Sequence, residues 1–358
     1  MGTAVVSPPD GRRVVADQLG LQAVACKHMG SPFYGRLFEL LRADVEAGGP
    51  AWDRLGPYDD QSFEQAYRLR LMGGVHKLVL AGESPELAAH FPSTGGDGDA
   101  DAAWPLLREL LRDPPHVVLD AMSRPPQTNE VGRSSALVPG FLVVARETGL
   151  PLRLLEIGSS AGLNLRVDRY RYESDGLTWG DPASSVRFVD LWTGGRPPLD
   201  VRGEIAERRG CDRDPIDASD PDAALTLLSY VWPGQTERFE LLRAALDVAR
   251  RTPVVLERAD AESWLPARLA EPSDGVATVA FHSIMWGYLA DSSQVFLRDA
   301  LAEAGRAATR TAPLAWLRLE PAEAGFPAEL RLTSWPGGEE RRLATTGFHG
   351  GEVRWAST

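Results

Sequence analysis

The spacing of apolar positions changes once along the chain, near residue 150. Before that point it follows the helical period. Tyr34–Leu41 is one such stretch, and Ala66–Leu80 is another, with Tyr67, Leu71, Val75 and Leu78 on one stripe. Ala103–Leu111 and Ser134–Thr148 continue the pattern. Gly48-Gly49-Pro50, Pro92–Gly98, Pro114-Pro115 and Pro125-Pro126 interrupt it. From Pro151 onward the apolar runs shorten. Leu152–Ile157, Pro253–Leu256, Val276–Phe281 and Leu314–Leu319 read as buried strands between turn formers. Val186–Leu191 and Val201–Arg208 are weaker strand candidates. Leu225–Tyr230 is apolar but fits helix or strand, and Glu237–Arg250 is an amphipathic helix. Glu329–Thr333 and Arg341–Thr345, joined by Trp335-Pro336-Gly337-Gly338, predict a closing hairpin. The expected fold is therefore α/β, a Rossmann-like and mainly parallel sheet with a C-terminal antiparallel hairpin, preceded by a helical N-terminal region. The expected division is 1–140, helical and substrate-covering, and 141–358.

Composition narrows the partners. The chain has 358 residues with formal net charge -12. That charge disfavours nucleic acid and anionic membranes as main partners and leaves a small molecule. Cys26 and Cys211 are the only cysteines, too few for a disulfide framework and without metal-ligand spacing. No metal site is expected. Met1–Val15 lacks the apolar core of a signal peptide, and no apolar run approaches the roughly 20 residues of a membrane helix. A cytoplasmic location is expected.

The richest segment is Leu152–Leu165. An apolar strand ends in Glu156-Ile157, a small-residue turn Gly158-Ser159-Ser160-Ala161-Gly162 follows, and Leu163-Asn164-Leu165 opens the next segment. Small side chains in such a turn let a ligand approach the backbone. Open parallel sheets bind ligands at the carboxyl ends of their strands. Asp212 follows the Val201–Arg208 strand, Asp260-Ala261 follows Pro253–Leu256, and His282 follows Val276–Phe281.

That order resembles class I S-adenosylmethionine-dependent methyltransferases. The resemblance implies that Glu156, Gly158, Ser159, Ser160, Gly162 and Asn164 form the cofactor loop, with Ser160 replacing the middle glycine. It implies ribose contact by Asp212, adenine contact by Asp260-Ala261, and a position beside the reactive methyl for His282. The distance from Gly162 to Asp212 exceeds the roughly 20 residues usual between a Gly-rich turn and its ribose acid. An insertion near 170–202 accounts for it, with Tyr172, Trp179, Asp181 and Trp192 as a possible lid. A second resemblance covers nearly the whole chain. Gln127-Thr128-Asn129-Glu130-Val131-Gly132-Arg133, Glu156–Leu165, Asp168-Arg169-Tyr170, Gly180-Asp181-Pro182, Val231-Trp232-Pro233 and Trp335–Gly338 resemble a largely actinobacterial family without an assigned function.

Gln127, Thr128, Asn129, Glu130 and Arg133 combine amides, a carboxylate and a guanidinium, a set suited to a polar substrate. The same residues also read as an N-cap with first-turn acids. Asp260 fits a helix cap equally well, and His282 fits a hydrogen-bonded core histidine. His76 fits a core or helix-face histidine. Trp232 and Trp286 are candidates for an aromatic pocket around a cation. Three functions follow. The first is methyl transfer to a small molecule, with His282 as base. The second uses Gly158–Gly162 as a G-x-S-x-G elbow, with Ser160 as nucleophile, His282 or His349 as base and Asp260 as orienting acid. The third is a non-catalytic binding module on the same fold. A dinucleotide dehydrogenase is disfavoured because G-x-G-x-x-G spacing is absent.

Overall fold

The computed structural model describes residues 10–271 and 273–356. In chain order it begins with α1 (Gly11–His28), α2 (Pro32–Glu46), α3 (Pro50–Leu55), α4 (Tyr67–Leu80), α5 (Pro85–Ala88), α6 (Ala100–Leu110) and α7 (His116–Ser123). Next come α8 (Ser134–Thr148) and β1 (Leu152–Ile157), then β2 (Arg171–Ser174), β3 (Leu177–Gly180), β4 (Arg187–Val189), β5 (Trp192–Gly194) and β6 (Ile205–Asp212). After α9 (Pro221–Ser229) and α10 (Thr236–Arg251) come β7 (Val255–Arg258), α11 (Ala261–Leu269), β8 (Ala277–Ser283) and α12 (Asp291–Ala307). The chain closes with β9 (Leu314–Pro321), β10 (Ala328–Trp335), β11 (Glu339–Gly347) and β12 (Gly350–Trp355). No helix is long and apolar enough to cross a membrane among the described residues.

Two compact units emerge, one reaching to Thr128 together with Pro221–Glu240, the other holding Asn129–Asp220 and Leu241–Thr358. The first unit is helical. Its core joins Phe33, Tyr34, Phe38, Tyr67, Leu71, Val75 and Phe91. The apolar stretch Leu225–Tyr230 belongs to this unit and resolves as helix α9. His76 is fully buried, with Nδ1 3.0 Å from the Ser229 carbonyl and Nε2 2.7 Å from Ser93 Oγ. Burial drops its pKa to about 4, so it is neutral at physiological pH. Trp232 is partly buried against the same core.

The second unit is α/β. Its nine-stranded mixed sheet has the order β5-β12-β11-β10-β9-β8-β1-β6-β7. Strands β7, β6, β1, β8 and β9 are mutually parallel, and β9 through β12 form an antiparallel run. The hairpin β10–β11 forms where the turn Trp335–Gly338 predicts it, and β12 extends it. Helix α8 packs on one sheet face, through contacts such as Phe141 on Phe281. On the other face α11 and α12 cover Leu155, Ile157, Ala280 and Trp316.

The stretch near 170–202 forms a small sheet, β3-β2-β4, plus the edge strand β5. It does not supply an aromatic lid. Tyr172 is buried and stacks on Phe188, 5.0 Å between centroids. Trp192 is buried too, its indole donating to the Ser135 carbonyl at 3.0 Å. These rings pack because they are the apolar face of their own sheet.

Candidate functional site

Strand β1 is buried along its whole length, and Glu156 comes with it. The following turn takes left-handed conformations at Gly158 (φ 69°), Ser160 (φ 49°) and Gly162 (φ 65°). A glycine adopts these freely, whereas a serine does so at a cost of about 1–2 kcal/mol. No regular α-helix follows. Leu163–Arg169 is a 3₁₀ segment, with non-helical angles at Arg166.

Most of the turn's polar backbone is already bonded within the protein. Ser159 N–H donates to the Cys211 carbonyl, and Ser160 N–H donates to Asp212 Oδ2 at 2.8 Å. Gly162 N–H donates to the Ser159 carbonyl, and Leu163 N–H to Asn129 Oδ1 at 2.8 Å. Arg166 closes the turn from below through the Ala161 and Gly162 carbonyls (2.9 and 2.8 Å). The expectation of open amides is therefore corrected: small residues here allow close packing. A Cβ on Gly158 would lie 3.0 Å from Met285 Cγ, and one on Gly162 would lie 2.9 Å from Leu256 Cδ2.

Around the turn the structure gathers several expected residues. Asn164 Oδ1 accepts from Ser134 Oγ at 2.9 Å. Arg133 donates to the Phe348 and Ser283 carbonyls, 2.9 Å each. Glu130 Oε2 lies 3.1 Å from His349 Nδ1. Gly132 meets the carbonyl of His349 so closely that a Cβ would sit at 2.2 Å. Asn129, Glu130 and Arg133 thus converge with the Gly turn in one unit. Gln127 and Thr128 are the last residues of the first unit's opening segment.

Glu156 is the centre of this group. Its Oε2 is buried and has no hydrogen-bond partner among the described residues. Burial raises its pKa well above the carboxylate range. Arg133 opposes the rise, Asp212 adds to it, and Arg166 and Asn164 oppose it more weakly. A carboxyl so placed is biased toward its neutral form. Asp212, aligned on the same sheet face, receives Ser160 N–H on one oxygen and Asp214 N–H (2.9 Å) on the other. Asp260 is exposed, pairs with Arg213 at 2.7 Å and stands at the N-cap position of α11 without a side-chain cap bond. Ala261 is buried in the core beside Leu155.

His282 is not among them. Strand β8 extends to Ser283, and Glu156 aligns with Phe281. Alternation then puts His282 on the opposite face. There it is 1% exposed, stacked on Trp286 at 4.7 Å. Trp316 Nε1 donates to its Nε2 at 3.1 Å, which leaves Nδ1 to donate to Glu320 Oε1 at 2.6 Å. The same Glu320 oxygen accepts the N–H groups of Met285 (3.1 Å) and Trp286 (3.3 Å). Glu320 is a functional candidate that sequence reading passed over. The rule that found Asp212 also finds it, because it stands near the carboxyl end of the parallel strand β9. The loop it clamps holds Ile284 at φ 49°, a rare conformation for a β-branched residue. A cleft of about 1000 Å³ lies elsewhere, at the amino end of β6 beside Trp179 and Glu204. Its distance from the strand carboxyl ends separates it from this chemistry. No group of three or more potential metal ligands occurs among the described residues.

The chain belongs to the family described as "Uncharacterized protein conserved in bacteria (DUF2332)", whose model matches residues 16–355. No curated protein and no solved structure matches it.

Proposed function

We propose that the second unit is a Rossmann-like domain that binds S-adenosylmethionine and transfers its methyl group to a small molecule. Its parallel strands support this. Numbered in chain order within the sheet, they run third, second, first, fourth, fifth, and the order reverses between β1 and β8. Parallel sheets hold ligands at such a switch point. The observation that carries the proposal is Glu156, a buried carboxyl with an oxygen lacking any partner, placed at the end of β1 beside the switch.

The residues fit that cofactor. Its ammonium and hydroxyl groups need acceptors, and Glu156, Asp212 and Asp260 offer them at three successive strand ends. When bound, it supplies an electrophilic methyl. Glu156 would accept a donor and give up its own proton, encouraged by Arg133. Asn129, Glu130 and Arg133 keep water from the rim. Met285 has to swing off Gly158 to admit a ligand. His282 and Glu320 form the candidate base on the other face, and the Trp316 indole must release Nε2 before that nitrogen takes a proton. Calorimetric titration tests the proposal. The intact protein should bind S-adenosylmethionine or its demethylated product, and Glu156→Gln should weaken binding roughly tenfold or more. Absence of binding by both ligands refutes it.

One observation favours the hydrolase alternative. Ser160 sits in a strained left-handed turn after a strand, as a nucleophile elbow requires. A fluorophosphonate should label Ser160 if that alternative is correct. The engaged nitrogens of His282 favour a binding module without turnover, which would bind the cofactor and leave its methyl in place.

A further inference from the structure

On the α12 face a pocket of about 260 Å³ opens beside Glu320. The indoles of Trp286 and Trp316 form its apolar wall, with centroids 5.6 Å apart. Three arginines and three glutamates line the remainder. Most of these charges cancel inside the protein. Arg318 pairs with Glu340, and Arg331 pairs with both Glu340 and Glu329 at 2.7 Å. Two do not. Arg298 has no carboxylate partner among the described residues. Its guanidinium lies 5.5 Å from the Trp286 ring centre, and it bonds only Gln294 Oε1, at 3.4 Å. Glu320 spends one oxygen on three donors, and no donor among the described residues reaches the other. His282 does not neutralise it, since the Trp316 bond defines the neutral ring form of that histidine.

One unpaired cation and one unpaired anion therefore face a small aromatic-walled space. A monoanion alone would leave Glu320 uncompensated, and a monocation would leave Arg298 so. We infer that this pocket binds a small zwitterion of the α-amino-acid type, its carboxylate on Arg298 and its ammonium on the free oxygen of Glu320. Guanidinium–carboxylate pairs are strong and directional, which suits Arg298 at the pocket mouth. The indoles take the ligand's apolar part. This rests on the methyl-transfer proposal only for the ligand's role as acceptor; the site itself stands on the pocket's own charges.

Ligand-observed saturation-transfer NMR on the full chain, without cofactor, tests the site. The probes are the proteinogenic amino acids, followed by the C-terminal amide and N-acetyl derivative of any that binds. At least one amino acid should bind. Each derivative should bind roughly tenfold more weakly or worse, because each removes one charge. Arg298→Gln should weaken the amino acid by a similar factor, level it with its amide and leave the fold unchanged by circular dichroism. Arg298→Lys should restore part of the loss. Absence of binding by every amino acid overturns the inference, as does an amide that binds equally well. Because no cofactor is present, the outcome is independent of the titration that tests methyl transfer.

Discussion

Two carboxyls occupy opposite faces of one sheet, and the protein treats them in opposite ways. Glu320 receives three donors on a single oxygen, from His282, Met285 and Trp286. Glu156 is the more deeply buried of the two, and its unpartnered oxygen is sealed from solvent. The donors around Glu320 satisfy that oxygen and tie a strained loop in place. Desolvation at Glu156 disfavours charge and biases the group toward its neutral form. The first arrangement holds a loop through one oxygen and leaves the other to the pocket. The second costs stability without a visible return in the fold, which is how ligand-ready groups behave.

Four substitutions press on this contrast. Glu320→Ala has the largest effect. It strands the His282 and Met285–Trp286 donors, and each buried unsatisfied group costs about 1–3 kcal/mol. Thermal unfolding should fall by roughly 6 °C or more. Gly210→Ala comes next. A Cβ there meets Ser159 Cβ and Oγ at 2.7 Å, between the central strand and the turn. Overpacking at such a site costs about 1–3 kcal/mol, measurable by denaturant unfolding. Glu156→Gln should act in the opposite direction and stabilise. The native carboxyl has a raised folded-state pKa, so it binds more protons folded than unfolded. Its penalty appears as pH climbs above the unfolded carboxyl value and grows toward the folded one. The melting-temperature advantage of the glutamine variant should therefore be larger at pH 8 than at pH 5. An advantage that is flat with pH breaks the contrast. Ser160→Gly is the smallest. Relief of the left-handed serine, offset in part by the freedom glycine adds to the unfolded chain, should shift stability by under about 1 kcal/mol, and any fluorophosphonate labelling should vanish.

Regular elements were legible where pattern and burial agreed. Ser134–Thr148 and Leu152–Ile157 form over the very residues that periodicity assigns, and the hairpin follows its Trp335–Gly338 turn. Leu225–Tyr230 was ambiguous because an apolar run carries no period of its own, and packing chose helix. After Gly162 comes a 3₁₀ segment whose residues Leu163–Val167 are all buried, so no polar face exists to reveal its period. The site was legible in membership more than in geometry. The approach of Asn129 and Arg133 to the Gly turn showed only as co-occurring strings. His282 was read as the first residue past its strand, whereas β8 runs to Ser283, and one step of alternation moves the ring to the far face. Glu320 carries no local signal, because its partners are the His282 ring and backbone amides of a loop that no local pattern announces.

Ile284 turns the loop between these two regions into a clock. Its left-handed backbone persists while Glu320 holds the amide hydrogens of Met285 and Trp286. Those two amides should therefore exchange with deuterium only when the clamp opens, the event that also frees Met285 to leave Gly158. Their exchange times would date the opening of the Gly turn directly, before any ligand is known.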